Sequence, residues 1–121
     1  MKPKVYLETT IVSYLTAWPS PDIVMAANQQ MTHAWWTNRR DSFELFVSQT
    51  VIKESDAGDR GAAQRRWEVL RQFPRLDITE EVESLATALM AGVPLPPKAQ
   101  ADALHIAVSA VNGMNYLLTS N

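Results

Sequence analysis

Apolar and polar positions follow two rhythms along the chain, and each change of rhythm marks an element. Val5-Tyr6-Leu7 is a short β-prone apolar run with Glu8 at its end. The spacing then changes at once: Ile11, Val12, Tyr14 and Leu15 recur as on a helix, with Ser13 and Thr16 on the other side. Thr9 and Thr10 stand between, hydroxyl residues of the kind that accept a backbone N–H at a helix start. The pattern predicts a buried strand running straight into a helix, with a carboxylate at the junction. Glu8 reads either as a charge that satisfies the helix start or as a group placed for chemistry.

Pro19-Ser20-Pro21 ends this helix, and Asp22 caps a second one over 23–38. Val24, Ala27, Met31 and Trp35 form its predicted core stripe. Trp35 is expected in the core and Trp36 near the surface; a base-stacking platform or a patch for a protein partner is the other reading. Residues 43–47 read as a second strand, followed by a short helix over 50–55 that carries Glu54 and is closed by Ala57-Gly58-Asp59. An amphipathic helix over 62–73 places Trp67, Leu70 and Phe73 on one side and Arg65, Arg66 and Arg71 elsewhere. Pro74 stops it before a third strand, 75–78. Thr79, Glu80 and Glu81 open a helix that runs to Met90 and ends at Gly92. After the rigid turn Pro94-Leu95-Pro96-Pro97, a helix over 98–112 carries the stripe Ala101, Leu104, Val108 and Val111. Ala103, Ile106, Ala107 and Ala110 make most of its remaining surface apolar, so it is expected to be buried. Asp102 and His105 are out of place on it. Gly113 ends it, and 114–119 reads as a fourth strand.

Strands alternating with helices predict parallel pairing through right-handed crossovers. The expected fold is a three-layer α/β/α sandwich with a parallel sheet, its first strand central, and a single domain over 1–121 without repeats or linkers. Composition agrees with one core: 46% of 121 residues are hydrophobic. Eleven basic and thirteen acidic side chains leave a net charge of −2, so a nucleic-acid partner must be met by a local basic patch. Met1-Lys2-Pro3-Lys4 lacks a signal-peptide pattern, and no run approaches the ~20 apolar residues of a bilayer span. A cytoplasmic protein without membrane contact is expected. With no cysteine and two histidines, a metal would be held by oxygen and would be a hard cation, Mg²⁺ or Mn²⁺.

Glu8, Glu54, Asp102 and Asn121 share one address in this topology, outside the carboxyl end of the sheet. Each acid alone reads as a helix-start charge. Gathered together they repel, and a cation is the natural neutraliser. His105, one turn beyond Asp102, is expected to be a buried histidine satisfied by backbone, with a role beside the metal or as a proton carrier as the alternative. Thr9 and Thr119 are placed to position an attacking water or a phosphate, and Thr9 serves equally as a helix cap.

In this arrangement the chain resembles the PIN-domain family, and within it the ribonuclease toxins of bacterial VapBC-type toxin–antitoxin pairs. The resemblance spans the whole chain. It rests on Glu8-Thr9-Thr10, on Val51-Ile52-Lys53-Glu54, on Asp102-Ala103-Leu104-His105-Ile106-Ala107 and on Leu117-Leu118-Thr119-Ser120-Asn121. It implies a Mg²⁺- or Mn²⁺-dependent endoribonuclease with Glu8, Glu54 and Asp102 as catalytic acids and Asn121 as a further ligand. RNA would be guided by Thr9, Thr119 and a basic rim from Arg39, Arg40, Lys53, Arg60, Arg65 and Arg66. A cognate antitoxin is the implied partner. Two positions depart from the family pattern, Glu8 where Asp is usual and Asn121 where Asp is frequent. Similar proteins also continue with a fifth strand and a last helix, so this chain is expected to pair through its fourth strand as a two-fold homodimer. The alternatives are a degenerate PIN domain that only binds protein or RNA, and an aspartyl-phosphate hydrolase, whose second strand-end Asp is missing here.

Overall fold

Strand β1 (Lys4–Leu7) is held on both sides, by β2 (Glu44–Ser48) and by β4 (Tyr116–Leu118). In the computed structural model, which describes residues 1–91 and 94–121, β3 (Arg75–Leu76) completes a sheet of order β3-β2-β1-β4. All pairings are parallel, with Val5 opposite Leu45 on one side and Tyr116 on the other. Parallel strands covered on both faces read as continuous apolar runs, and Val5, Tyr6, Leu7, Leu45 and Val47 are all buried.

Among the described residues six α-helices surround the sheet: α1 (Thr9–Thr16), α2 (Ile23–Asn38), α3 (Gln49–Ser55), α4 (Arg60–Leu70), α5 (Glu80–Leu89) and α6 (Pro97–Val111). A 3₁₀ turn, Arg40–Ser42, leads into β2. Helix α1 packs on α2, α3 and α4, while α5 packs on α6, and the two groups form the outer layers of the expected α/β/α sandwich. Starts and stops follow local chemistry. Asp22, Ser48, Asp59 and Thr79 each accept the backbone N–H three residues on, the bond that satisfies a helix start. Past the end of α6, Gly113 takes φ +67°, a left-handed turn that costs glycine no Cβ clash. The predicted stop of α5 at Gly92 lies outside the described residues. Among the described residues no helix is long and apolar enough to cross a membrane.

Three expectations about helix faces are corrected. The stripe of α2 points outward over its first half, with Val24 70% and Met31 71% exposed, whereas Gln29 and Thr32 are buried. The cause is the segment before the helix, which folds back on it. Gln29 donates from Nε2 to the Trp18 carbonyl and accepts from the Ser20 N–H, so a polar side chain takes the inner position. Only the end of the stripe turns inward: Trp35 stacks on Phe43 at 5.8 Å, and Trp36 meets the edge of Phe73 at the same distance. Both tryptophans are half-buried, so neither the core nor the surface assignment holds alone. On α4, Ala63 and Leu70 are buried and Trp67 is exposed. On α6, Ala103, His105, Ala107, Val108 and Ser109 are buried but Ile106 is 47% exposed, because α5 and the sheet cover only part of the helix.

Candidate functional site

Glu8 follows the last residue of β1 and occupies the capping position of α1, yet its carboxylate accepts no N–H from that helix. The backbone carbonyl of Glu8 meets the Ile11 N–H instead, which leaves the side chain for other partners. Its Oε1 accepts two hydroxyls, Thr10 Oγ1 at 2.5 Å and Thr119 Oγ1 at 2.8 Å. Thr10 Oγ1 in turn accepts the Ser120 N–H at 2.9 Å, so the end of β4 and the start of α1 are tied through this carboxylate. Thr9 is no helix cap either. Its hydroxyl donates to Glu54 Oε1 at 2.5 Å, across from α1 to α3.

Glu54 Oε1 has a second partner, His105 Nε2 at 2.9 Å. Behind the imidazole the network continues inward: His105 Nδ1 lies 2.6 Å from Tyr6 Oη, which lies 2.8 Å from Ser48 Oγ. Ser48 Oγ accepts the Val51 N–H at 3.1 Å as the cap of α3. The expected backbone-satisfied histidine is therefore corrected: His105 is buried, but side chains satisfy it on both nitrogens. Burial pushes the Tyr6 hydroxyl far above its ordinary range, and the carboxylates of Glu54 and Glu8 add to that, so it serves as a proton-bearing link.

The hydrogen bond from His105 lowers the pKa of Glu54, and the bond from Thr9 adds to it; burial works in the opposite sense. A carboxylate held below its unfolded value stabilises the fold above that value and loses this contribution as pH falls through the folded one. In the metal-free protein, an NMR titration of the Glu54 carboxyl carbon is expected to give a midpoint below 4.5, with stability declining in that acid range. A midpoint at or above 4.5 would contradict the hydrogen bonding described.

One ligand atom each from Glu8, Glu54 and His105 lies within 4.8 Å of the others. Like charges so close repel, and a cation relieves that. The strand-end address assigned to Glu8 and Glu54 from the sequence thus brings them together. Asp102 is not in this group; it is half-buried on α6, one turn before His105, and its carboxylate makes no hydrogen bond or ion pair among the described residues. Asn121 reaches Thr119 Oγ1 through its backbone N–H at 3.1 Å, and its exposed side chain makes no bond to the carboxylates. It lines a cavity of about 440 Å³ with Ile11, Met31, Trp35 and Thr119.

Arg65 and Arg66 lie elsewhere than on a free rim. Arg65 donates to the Thr16 carbonyl at 3.3 Å and stacks over Trp18 at 5.0 Å, while Arg66 donates to the carbonyls of Ser55 and Ala57 at 2.8 and 2.7 Å. Both close helix C-termini, of α1 and α3, where cations suit the dipole. Arg60 is paired with Asp56, and Arg40 lies over Trp36 at 4.6 Å. Lys53, beside Glu54, is exposed and in no ion pair among the described residues.

Tyr6, Ser48 and Thr10 belong to the site although the apolar pattern assigned Tyr6 to the core and Thr10 to a cap. The available signal was chemical, since hydroxyls buried in a central strand need partners. Comparison of the chain with protein-family models, with curated proteins and with solved structures returned no match.

Proposed function

We propose that the protein is a Mg²⁺- or Mn²⁺-dependent endoribonuclease, with Glu8 and Glu54 as the carboxylates that hold the cation. One observation carries this reading. In both side chains Oε1 takes every hydrogen bond from the protein, and Oε2 has no partner among the described residues. Two open carboxylate oxygens, one just past β1 and one on α3 beyond β2, form an oxygen donor set that suits a hard divalent cation. Such an ion, when bound, supplies a Lewis acid for the phosphodiester and lowers the pKa of water.

The chain's own part is positioning. Thr10 and Thr119 hold Glu8, and Thr9 and His105 hold Glu54, each through Oε1. Asp102, a turn before His105, is the further acid of the proposal, and Asn121 its neutral oxygen donor. RNA as substrate, and a cytoplasmic setting, rest on the resemblance to VapBC-type toxins. The exposed Lys53 beside Glu54 offers charge for a phosphate, in place of the occupied Arg65 and Arg66.

The partners belong to the same proposal. Trp18, Ile23, Val24 and Met31, all more than two-thirds exposed, form the apolar surface an antitoxin would cover. The edge strand β4, with Tyr116 58% exposed, is the side on which two copies would pair. A module that binds protein without cleaving RNA is favoured by that apolar surface and by the arginines spent on helix ends.

Calorimetric titration with Mn²⁺, followed by incubation with a single-stranded RNA of mixed sequence, separates these readings. Binding, cleavage that EDTA abolishes and cleavage restored by added Mn²⁺ are expected. Binding of Mn²⁺ with no cleavage would favour the binding module, and no binding at millimolar Mn²⁺ would end the metal reading.

A further inference from the structure

We propose that His105 is the positioning residue for Glu54 and not a ligand of the cation, its tautomer imposed by a buried hydroxyl chain that begins at Ser48. The inference rests on the preceding reading for the role of Glu54, but the tautomer itself follows from hydrogen bonds alone.

Donors and acceptors along the chain can be counted from either end. At the inner end, Ser48 Oγ accepts the Val51 N–H, and its own proton needs an acceptor within a fully buried site. Tyr6 Oη, 2.8 Å away, is the one acceptor for it among the described residues. With its oxygen accepting from Ser48, Tyr6 directs its phenolic proton to His105 Nδ1 at 2.6 Å. Nδ1 is thereby an acceptor, and the ring proton sits on Nε2, 2.9 Å from Glu54 Oε1. At the outer end the same answer emerges independently. An ionised carboxylate only accepts, so the ring nitrogen facing Glu54 must donate. The reverse direction would strand the Ser48 proton in the core without a partner.

This assignment has a consequence for the metal. His105 stands within coordinating distance of the two carboxylates, and on proximity alone it completes a Glu-Glu-His set. Yet the Nδ1 lone pair is taken by Tyr6, and Nε2 carries a proton pledged to Glu54. The imidazole has no lone pair to offer. The site is thus an all-oxygen one, suited to Mg²⁺ and Mn²⁺ and not to Zn²⁺, which favours nitrogen and sulfur. What His105 contributes is orientation: it fixes Oε1 of a side chain that is 35% exposed and leaves Oε2, which would hold the ion, without a protein partner among the described residues.

The test reads the ring directly. Long-range ¹H–¹⁵N correlation on the ¹⁵N-labelled protein should show His105 protonated at Nε2 and accepting at Nδ1, both without metal and with saturating Mg²⁺. A proton on Nδ1, or a ring-nitrogen shift on Mg²⁺ addition that marks direct coordination, would overturn the inference. Substitution supplies a second readout, with folding checked by amide spectra. His105→Leu should weaken Mn²⁺ binding about 10–100-fold, and His105→Gln, whose amide N–H can replace Nε2–H, should restore most of it. Equal losses in both variants would mark His105 as a ligand and sink the proposal. The Nε2–H tautomer in a protein that binds no Mg²⁺ or Mn²⁺ would instead refute the metal reading, with His105 retained as the anchor of Glu54.

Discussion

Glu54→Gln is expected to lower the proposed Mn²⁺-dependent RNA cleavage at least ~10³-fold and to leave the melting temperature within a few degrees of the parent. The substitution is chosen because it keeps shape and removes charge. The carbonyl oxygen of Gln can still accept from Thr9 Oγ1 and His105 Nε2, so the bonds that orient residue 54 survive. What changes is the outward atom: an open carboxylate oxygen becomes an NH₂ group that repels a cation. Stabilisation of charge by a bound ion is worth several kcal/mol in the transition state, and each ~1.4 kcal/mol is tenfold in rate. Stability is spared because Gln keeps the bonds from Thr9 and His105, and relieved repulsion from Glu8 offsets the weakening of those bonds to an uncharged acceptor. Single-turnover cleavage with purified parent and variant measures it. Equal rates would assign any activity to another site.

Leu7→Ala destabilises the protein by about 2–5 kcal/mol, the range for deleting a buried leucine side chain from a packed core. Leu7 is fully buried in β1, opposite Leu118 of β4, and immediately precedes Glu8. Strand β1 has neighbours on both sides and helices on both faces, so the cavity has little freedom to collapse. For a domain of this size, total stability is about 5–15 kcal/mol, and the loss is a large part of it. Urea denaturation reads the change as a lower midpoint at unchanged slope. A loss below about 1 kcal/mol would contradict the placement of Leu7 at the centre of the core.

The sheet was legible because its causes are local. Short β-prone runs followed by helical spacing mark the strand-to-helix changes, and Asp22, Thr79 and Gly113 act in the structure as their residue types imply. Orientation was less legible. The spacing of Val24, Ala27 and Met31 identifies a stripe but not its direction, which is decided by Gln29 gripping the segment before the helix. The same holds for Arg65 and Arg66, whose carbonyl partners at the ends of α1 and α3 are fixed only by how α4 packs.

The site divides in the same way. Glu8 and Glu54 could be placed because strand ends have a common address in a parallel sheet. His105 attracted notice as a polar residue on an apolar helix, but its partners, Glu54 and Tyr6, lie 51 and 99 residues away in the chain. Periodicity carries no information at that range. Tyr6 and Ser48 were hidden by their own suitability, one as a large strand residue and the other as a helix cap. Asp102 shows the converse: its motif context led to its expectation as a ligand, whereas the three groups drawn together are Glu8, Glu54 and His105.

Crystals soaked in Mn²⁺ and measured at the manganese absorption edge test the metal centre most directly. An anomalous peak about 2.0–2.6 Å from Oε2 of both Glu8 and Glu54, with His105 Nε2 still on Glu54 Oε1, is the predicted result. No peak between the two carboxylates at millimolar Mn²⁺, or a peak bonded to the His105 nitrogen, would contradict it.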